Sequence, residues 1–349
     1  MNHENSHFLT CHDDGACVLL LRMIRQVPVA RKEESMGMKD KTPTTVEEYQ
    51  AYKKNYSNWG RWGADDQLGT LNHISQESVK YASSLVTEGH TVSCSNPVAT
   101  SKVVDNEQRN PRPADHQVMV GPASSGDYIG VAFHGYVNTH IDALCHIFTG
   151  DSSQGGRIYN DRDPSLIRED GALTNSVDHW RDGIVTRGVL YDIPRMRGQE
   201  YVAPDEPIEG WHLAEWAESV GIDPRPGDAV LVRSGYEAFW EANANFEFVH
   251  PPATPGNAPS VIEYLFDNDA SLLGWDLQEA GHKPYDYPAR IPIHEVVIPH
   301  MGMPLLDNAN FDRLAGACAE RGRYEFLLII SPLVITGGTG SPVNPIATF

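Results

Sequence analysis

One short stretch, Phe133-His134-Gly135-Tyr136-Val137-Asn138-Thr139-His140-Ile141-Asp142-Ala143-Leu144-Cys145-His146, constrains this chain more than any other part of it. Positions 134–146 hold three histidines and one aspartate. Run as a strand, the side chains alternate faces with period two. His134, Tyr136, Asn138, His140 and Asp142 then share one face, while Val137, Thr139 and Ile141 take the other. Imidazole and carboxylate two residues apart on a rigid element are donors that a borderline or hard divalent cation requires. A lone histidine on a strand is most often a hydrogen-bonded core residue. An HxD pair followed four residues later by His146 is different, because three such groups are costly to bury together unless something pairs them. His140 and Asp142 are therefore expected to hold a metal, with the rest of the chain as its housing.

That housing needs a core, and 349 residues with 40% hydrophobic and 21% charged content are enough to build one. A formal net charge of -20 excludes nucleic-acid and anionic-membrane partners, which require clustered cations. Five cysteines, at 11, 17, 94, 145 and 318, form no CxxC pair and are expected to be reduced and buried. No apolar run approaches the ~20 residues of a membrane span. The expectation is a cytoplasmic protein with a small-molecule substrate.

Residues 1–40 lack periodicity and read as a flexible extension, with one domain over 41–349. Thr44-Thr45-Val46-Glu47-Glu48 has a threonine cap and early acids, the start of a helix. Helices are expected over 75–85, 211–220, 260–266 and 310–320. Strands are expected over 90–98, 128–134, 187–193, 229–233, 271–276 and 326–330. Residues 99–127, polar and proline-rich, read as one long loop of the kind that serves as a lid or binding loop. Strand–helix alternation in the second half predicts an α/β fold, a single domain with a mixed sheet flanked by helices.

Weaker signals lie elsewhere. Asn58 to Asn72 carries Trp59, Trp62 and three glycines, a structured loop whose tryptophans either plug a core edge or wall a substrate pocket. His294 and Asp307 sit in apolar runs and are candidates to complete the coordination sphere or to build a second metal site. Gly337-Gly338-Thr339-Gly340-Ser341 is no phosphate loop, because Pro342 and Pro345 leave no room for the helix such a site needs. No GxSxG elbow occurs.

Thr139 to His146 resembles the HxGTHxDxPxH signature of the metal-dependent cyclase superfamily, which includes bacterial kynurenine formamidase and isatin hydrolase. The resemblance extends to Trp59-Gly60 through Asn72, Arg187 to Leu190, Leu231 to Gly235, Gly274-Trp275-Asp276 and the tail Gly337 to Pro345, most of residues 58–349. It implies a swivelling β/β/α type of fold. It also implies His140, Asp142, His294 and Asp307 as ligands of zinc or manganese, His146 as the catalytic histidine, and a homodimer or higher homo-oligomer. The chain departs from the signature at three positions. Tyr136 stands where the first ligand histidine belongs, Asn138 replaces a glycine and Leu144 the proline. His134 and Asn138 are the alternatives for the missing ligand, with His134 far along a strand that rises ~3.3 Å per residue.

The activity so implied is hydrolysis of an amide, lactam or lactone by metal-activated water, with His146 as general base and Trp59, Trp62 and Tyr136 lining the substrate pocket. The alternatives are a metal-dependent cyclase or lyase, and a non-catalytic member that binds a small molecule.

Overall fold

The apolar runs of the second half become adjacent strands of one sheet. The computed structural model describes residues 42–104, 107–244, 246, 254–281 and 289–349. The expected extension over 1–40 lies outside the described residues. Strands are β1 (Thr91–Ser93), β2 (Asp115–Val120), β3 (Ser125–Gly130), β4 (His140–Asp142), β5 (Ile167–Arg168), β6 (Gly171–Ala172), β7 (Ile184–Asp192), β8 (Ala229–Arg233), β9 (Leu272–Trp275), β10 (Leu305–Asp307), β11 (Glu325–Ile330), β12 (Gly340–Pro342) and β13 (Ile346–Thr348). Nine of them form a mixed sheet in the order β1-β13-β11-β7-β8-β9-β10-β4-β12. The central β7–β8–β9–β10 run is parallel, and antiparallel pairs close both sides. Parallel strands covered on both faces read as continuous apolar runs, as β8 and β9 do.

Helices flank this sheet: α1 (Val46–Asn55), α2 (Gln76–Ser84), α3 (Ile193–Arg197), α4 (Gly210–Ser219), α5 (Tyr236–Ala242), α6 (Val261–Asp267), α7 (His294–Val296) and α8 (Asp312–Arg321). The expected Thr45 cap on α1 is a full capping box, with Glu48 answering from the third helical position. A buried ion pair ties the sheet together: Arg187 of β7 binds Asp228, just before β8, and Glu325 of β11. The result is the α/β architecture expected, a single domain built on a nine-stranded mixed sheet. No described helix is long and apolar enough to cross a membrane. Cys94, Cys145 and Cys318 are free and buried.

Three expectations fail. The supposed long loop over 99–127 contains β2, which pairs with β3 in an antiparallel hairpin from Asp115↔Gly130 to Val120↔Ser125. The strand expected over 128–134 ends at Gly130. The third failure matters most, since 134–146 is no continuous strand. Only His140–Asp142 is extended and paired, while 134–138 is a series of bends. Gly135 takes φ 135°, a region that favours glycine, and lets the chain double back.

Candidate metal centre

β4 places the first two donors. It is wedged between β10 and β12, with His140 opposite Asp307 and Asp142 opposite Gly340. Alternation puts His140 and Asp142 on one face, and a directly opposed residue on the neighbouring strand shares that face, so Asp307 joins them. His140 Nε2 lies 3.3 Å from Asp142 Oδ1 and 3.9 Å from Asp307 Oδ2. His294 arrives from α7, which passes directly into a π-turn over Val297–Met301. Its Nε2 is 3.2 Å from Asp307 Oδ2 and 3.9 Å from Asp142 Oδ2. All four are at most 4% exposed, so an uncompensated charge here would be expensive.

His134 comes back onto this cluster through the Gly135 bend. Its Nδ1 stands 2.9 Å from Asp142 Oδ1, and its Nε2 is 3.0 Å from the Thr339 hydroxyl. The expectation that His134 lies too far along a strand is thus corrected, because the intervening backbone is not a strand. His146 stacks on His134, ring centroids 3.7 Å apart and planes 3° from parallel, with Nε2 3.8 Å from Asp142 Oδ2. The glycine-rich tail finds its role here: β12 closes the far side of β4, and Thr339 anchors His134.

The donor set fits a divalent cation. Two overlapping triads could hold one, His134–His140–Asp142 and Asp142–His294–Asp307. His134 Nδ1 and Asp142 Oδ1 are buried and face each other without the alignment of a hydrogen bond, and neither has another hydrogen-bond partner. Bonds of ~2.0–2.2 Å to a cation put neighbouring donors roughly 3.0–3.5 Å apart, close to the spacings seen. Around them a second layer fixes tautomers. His140 Nδ1 lies 2.8 Å from the Asn138 carbonyl and His294 Nδ1 2.7 Å from Glu279 Oε1, which leaves each Nε2 facing the cluster. Trp275 and Gln278 donate to the two oxygens of Asp307 at 2.5 and 2.8 Å.

Charge follows from this packing. Burial alone would raise the Asp142 carboxyl, but His146, His134 and His140 around it hold it well below the usual range. Burial opposes protonation of His294, yet Glu279 and Asp307 overcome it and raise its pKa well above the ordinary value. His146 goes the other way. Burial and the neighbouring imidazoles push it down to about 4, against the pull of Asp142, so it is neutral at pH 7. The His134 and His146 side chains remain 27% and 26% exposed, which makes their side of the cluster the open one.

Tyr136 borders a cavity of about 410 Å3 on that open side, together with His134. Trp59 and Trp62 do not border it. The Trp59 indole donates to the Pro299 carbonyl at 2.6 Å and stacks on His300, and Asn58 donates to the His300 and Met301 carbonyls. This segment clamps the π-turn behind His294. Trp62 packs edge-on against His73. Sequence reasoning missed Gln278 and Glu279, which follow the noted Gly274-Trp275-Asp276 by two and three residues.

The family model described as "Putative cyclase" matches residues 66–282. A crystal structure of a novel cyclase superposes with a TM-score of 0.72 at 26% identity, covering 85% of this chain and 99% of that one. Isatin hydrolase A from Labrenzia aggregata, bound to benzyl benzoate, gives a TM-score of 0.51 at 20% identity over 78% of this chain and 97% of that one. Isatin hydrolase A from Ralstonia solanacearum gives 0.50 at 20% over 74% and 91%. These two likenesses establish a common fold. No curated protein sequence matches the chain. With more than half of its length matched by the family model, this chain belongs to the cyclase family.

Proposed function

We propose that this chain is a metal-dependent hydrolase that opens an amide, lactam or lactone bond of a small cyclic or aromatic substrate, with C–N bonds the first expectation. One observation carries the reading. Three imidazoles (His134, His140 and His294) and the carboxylate of Asp307 gather around buried Asp142, with His134 and the neutral His146 on the open side. His140, Asp142, His294 and Asp307, joined by His134, would hold a zinc or manganese ion. Such an ion supplies Lewis-acid chemistry, acidifying water and polarising a carbonyl. His146 would take the proton of the attacking water at Nε2 and return it to the leaving nitrogen or oxygen. The flat stack on His134 restrains the His146 ring, and Asp142 balances the charge that ring acquires. The rival reading, a non-catalytic member, rests on Tyr136 standing where the signature has a ligand histidine. The nearness of His134 to Asp142 supports the catalytic reading instead.

Metal analysis of the purified protein, paired with a hydrolysis screen of N-formyl aromatic amines, cyclic imides and lactones, tests it. About one or more equivalents of zinc or manganese and hydrolysis in at least one class are expected. Substoichiometric metal in protein purified without chelator would sink the proposal. His146→Ala is expected to keep its metal and lose roughly 10²-fold or more in kcat. Full activity in that variant removes the base assignment.

A further inference from the structure

The β2–β3 hairpin is an arm without a body to rest on. It forms a separate two-stranded sheet, and every residue of β2 is exposed. Among the described residues its side chains bond only to one another, as His116 does to Asp127 at 2.7 Å. Val118, Met119, Val120, Tyr128 and Ile129 are 53–83% exposed. The register puts Val118, Val120 and Ile129 on one face and Met119 and Tyr128 on the other. A lone two-stranded hairpin is marginally stable in water, and clustered exposed apolar side chains mark a contact surface. With apolar groups on both faces, a flat surface covers only half of the arm, whereas a trough covers all of it.

Such a trough lies at the root of the arm. Val131, the residue after β3, lines a cavity of about 600 Å3 together with Pro97, Val98, Leu333, Pro342 and Val343. The rest of its wall is serine, asparagine and threonine, so none of the described lining residues is charged. The outer part of the arm, 117–126, is equally free of charge. In a chain with 47 acidic and 27 basic side chains, an uncharged arm beside an uncharged trough stands out. A basic partner would be drawn to acids, and the arm offers only Asp115 and Asp127, near its root. Two copies of a chain with net charge -20 repel each other over most of their surface, and they can meet where charge is absent. Because arm and trough are neighbours, a two-fold axis lets each arm enter the other copy's trough, with every contact made twice. Arm and trough together come to about 20–30 residues, the number a standard interface uses on each side.

We infer that the β2–β3 arm is the dimerisation element of this protein, seated in the uncharged trough of a second copy. The two arms are exchanged across the two-fold axis. The trough wall includes Asn138 and Thr139, and the Asn138 carbonyl lies 2.8 Å from His140 Nδ1. The seated arm therefore lies against the residues that lead into β4 and its metal donors.

Sedimentation equilibrium of the full chain at micromolar concentration is expected to give about twice 38.6 kDa. Val120→Lys places a charge on the arm and Leu333→Lys one on the trough, both at side chains exposed in the single chain. Each is expected to weaken the dimer by roughly tenfold or more in Kd, because the new charge must be buried, with the circular dichroism of the wild type retained. Trp211→Lys, at an exposed apolar side chain outside arm and trough, is expected to leave the dimer unchanged. A monomeric wild type overturns the inference, as does a dimer indifferent to Val120→Lys or to Leu333→Lys. Equal loss of the dimer in Trp211→Lys also overturns it. A monomeric wild type that floats with phosphatidylcholine vesicles overturns it as well and assigns the arm to lipid.

Discussion

Gly340 shows how narrowly the candidate site is built. A Cβ there would lie 2.6 Å from the Ile141 carbonyl oxygen and 2.9 Å from His134 Cε1, so nothing larger than glycine fits between β12 and the His134 ring. Gly340→Ala is expected to cost about 1–3 kcal/mol of stability by overpacking and to weaken zinc binding by roughly tenfold or more, because His134 must move. Competition with a chelating dye, beside a thermal melt, measures both, and wild-type affinity would show that His134 is not part of the site. At this scale His140 and Asp142 stand out in the sequence by their two-residue spacing, while His294 and Asp307 join them only through the family resemblance, and the structure brings all four side chains together. Glu279 could not, because its role depends on packing against His294, 15 positions away, and no local pattern carries that. His134 was visible as a residue but misplaced.

The misplacement belongs to the elements. Period-two alternation held for the three residues of β4 and failed for 134–138, where Gly135 breaks the strand and Gln278 and Asn308 bond its carbonyl. The Gly135 signal was present, and a glycine inside a strand pattern marks a bend. The β2–β3 hairpin was hidden for the opposite reason. Its residues are almost all exposed, so no apolar alternation announces it. By contrast β8 was read at its exact bounds, because a strand buried on both faces must be apolar throughout. Element structure also sets a response to acid. At the start of α4, the Glu209 amide donates to His212 Nδ1, and Arg197 Nη2 lies 2.9 Å from Nε2. Burial, then Arg197, lowers the His212 pKa to about 4. The unfolded chain, with an ordinary histidine near 6.5, therefore takes up this proton first. Stability from His212 is complete above that value and is lost as pH falls from ~6.5 toward about 4. His212→Gln is expected to flatten the fall of unfolding free energy between pH 7 and 5, by at most ~1.4 kcal/mol per pH unit, as read by denaturant titration. An unchanged slope would place the acid sensitivity elsewhere, His300 being the next such group.

At the scale of the molecule, the candidate centre joins parts distant in sequence. β4, β10 and α7 meet there, and β12 and the 278–279 segment hold them in place. Hydrophobic burial fixes the sheet but does not explain why Asp142, Asp307 and Glu279 lie together beneath it. In the absence of a cation they rely on buried histidines for balance, and an ion at the cluster would bind the folded state far more tightly than the unfolded one. Binding restricted to the native state stabilises by RT ln(1 + [L]/Kd), ~2.7 kcal/mol at a free ion concentration 100 times Kd. The melting temperature is therefore expected to fall on exhaustive chelation and to climb again with added zinc or manganese, without saturating at one equivalent. The return should fail in Asp142→Asn, since Asp142 belongs to both triads, and persist more weakly in His134→Ala, which leaves the Asp142–His294–Asp307 triad intact. A melting temperature indifferent to chelator and to added metal would mean that the buried acids are balanced by histidine alone, and the reading of this cluster as a metal centre would fall with it.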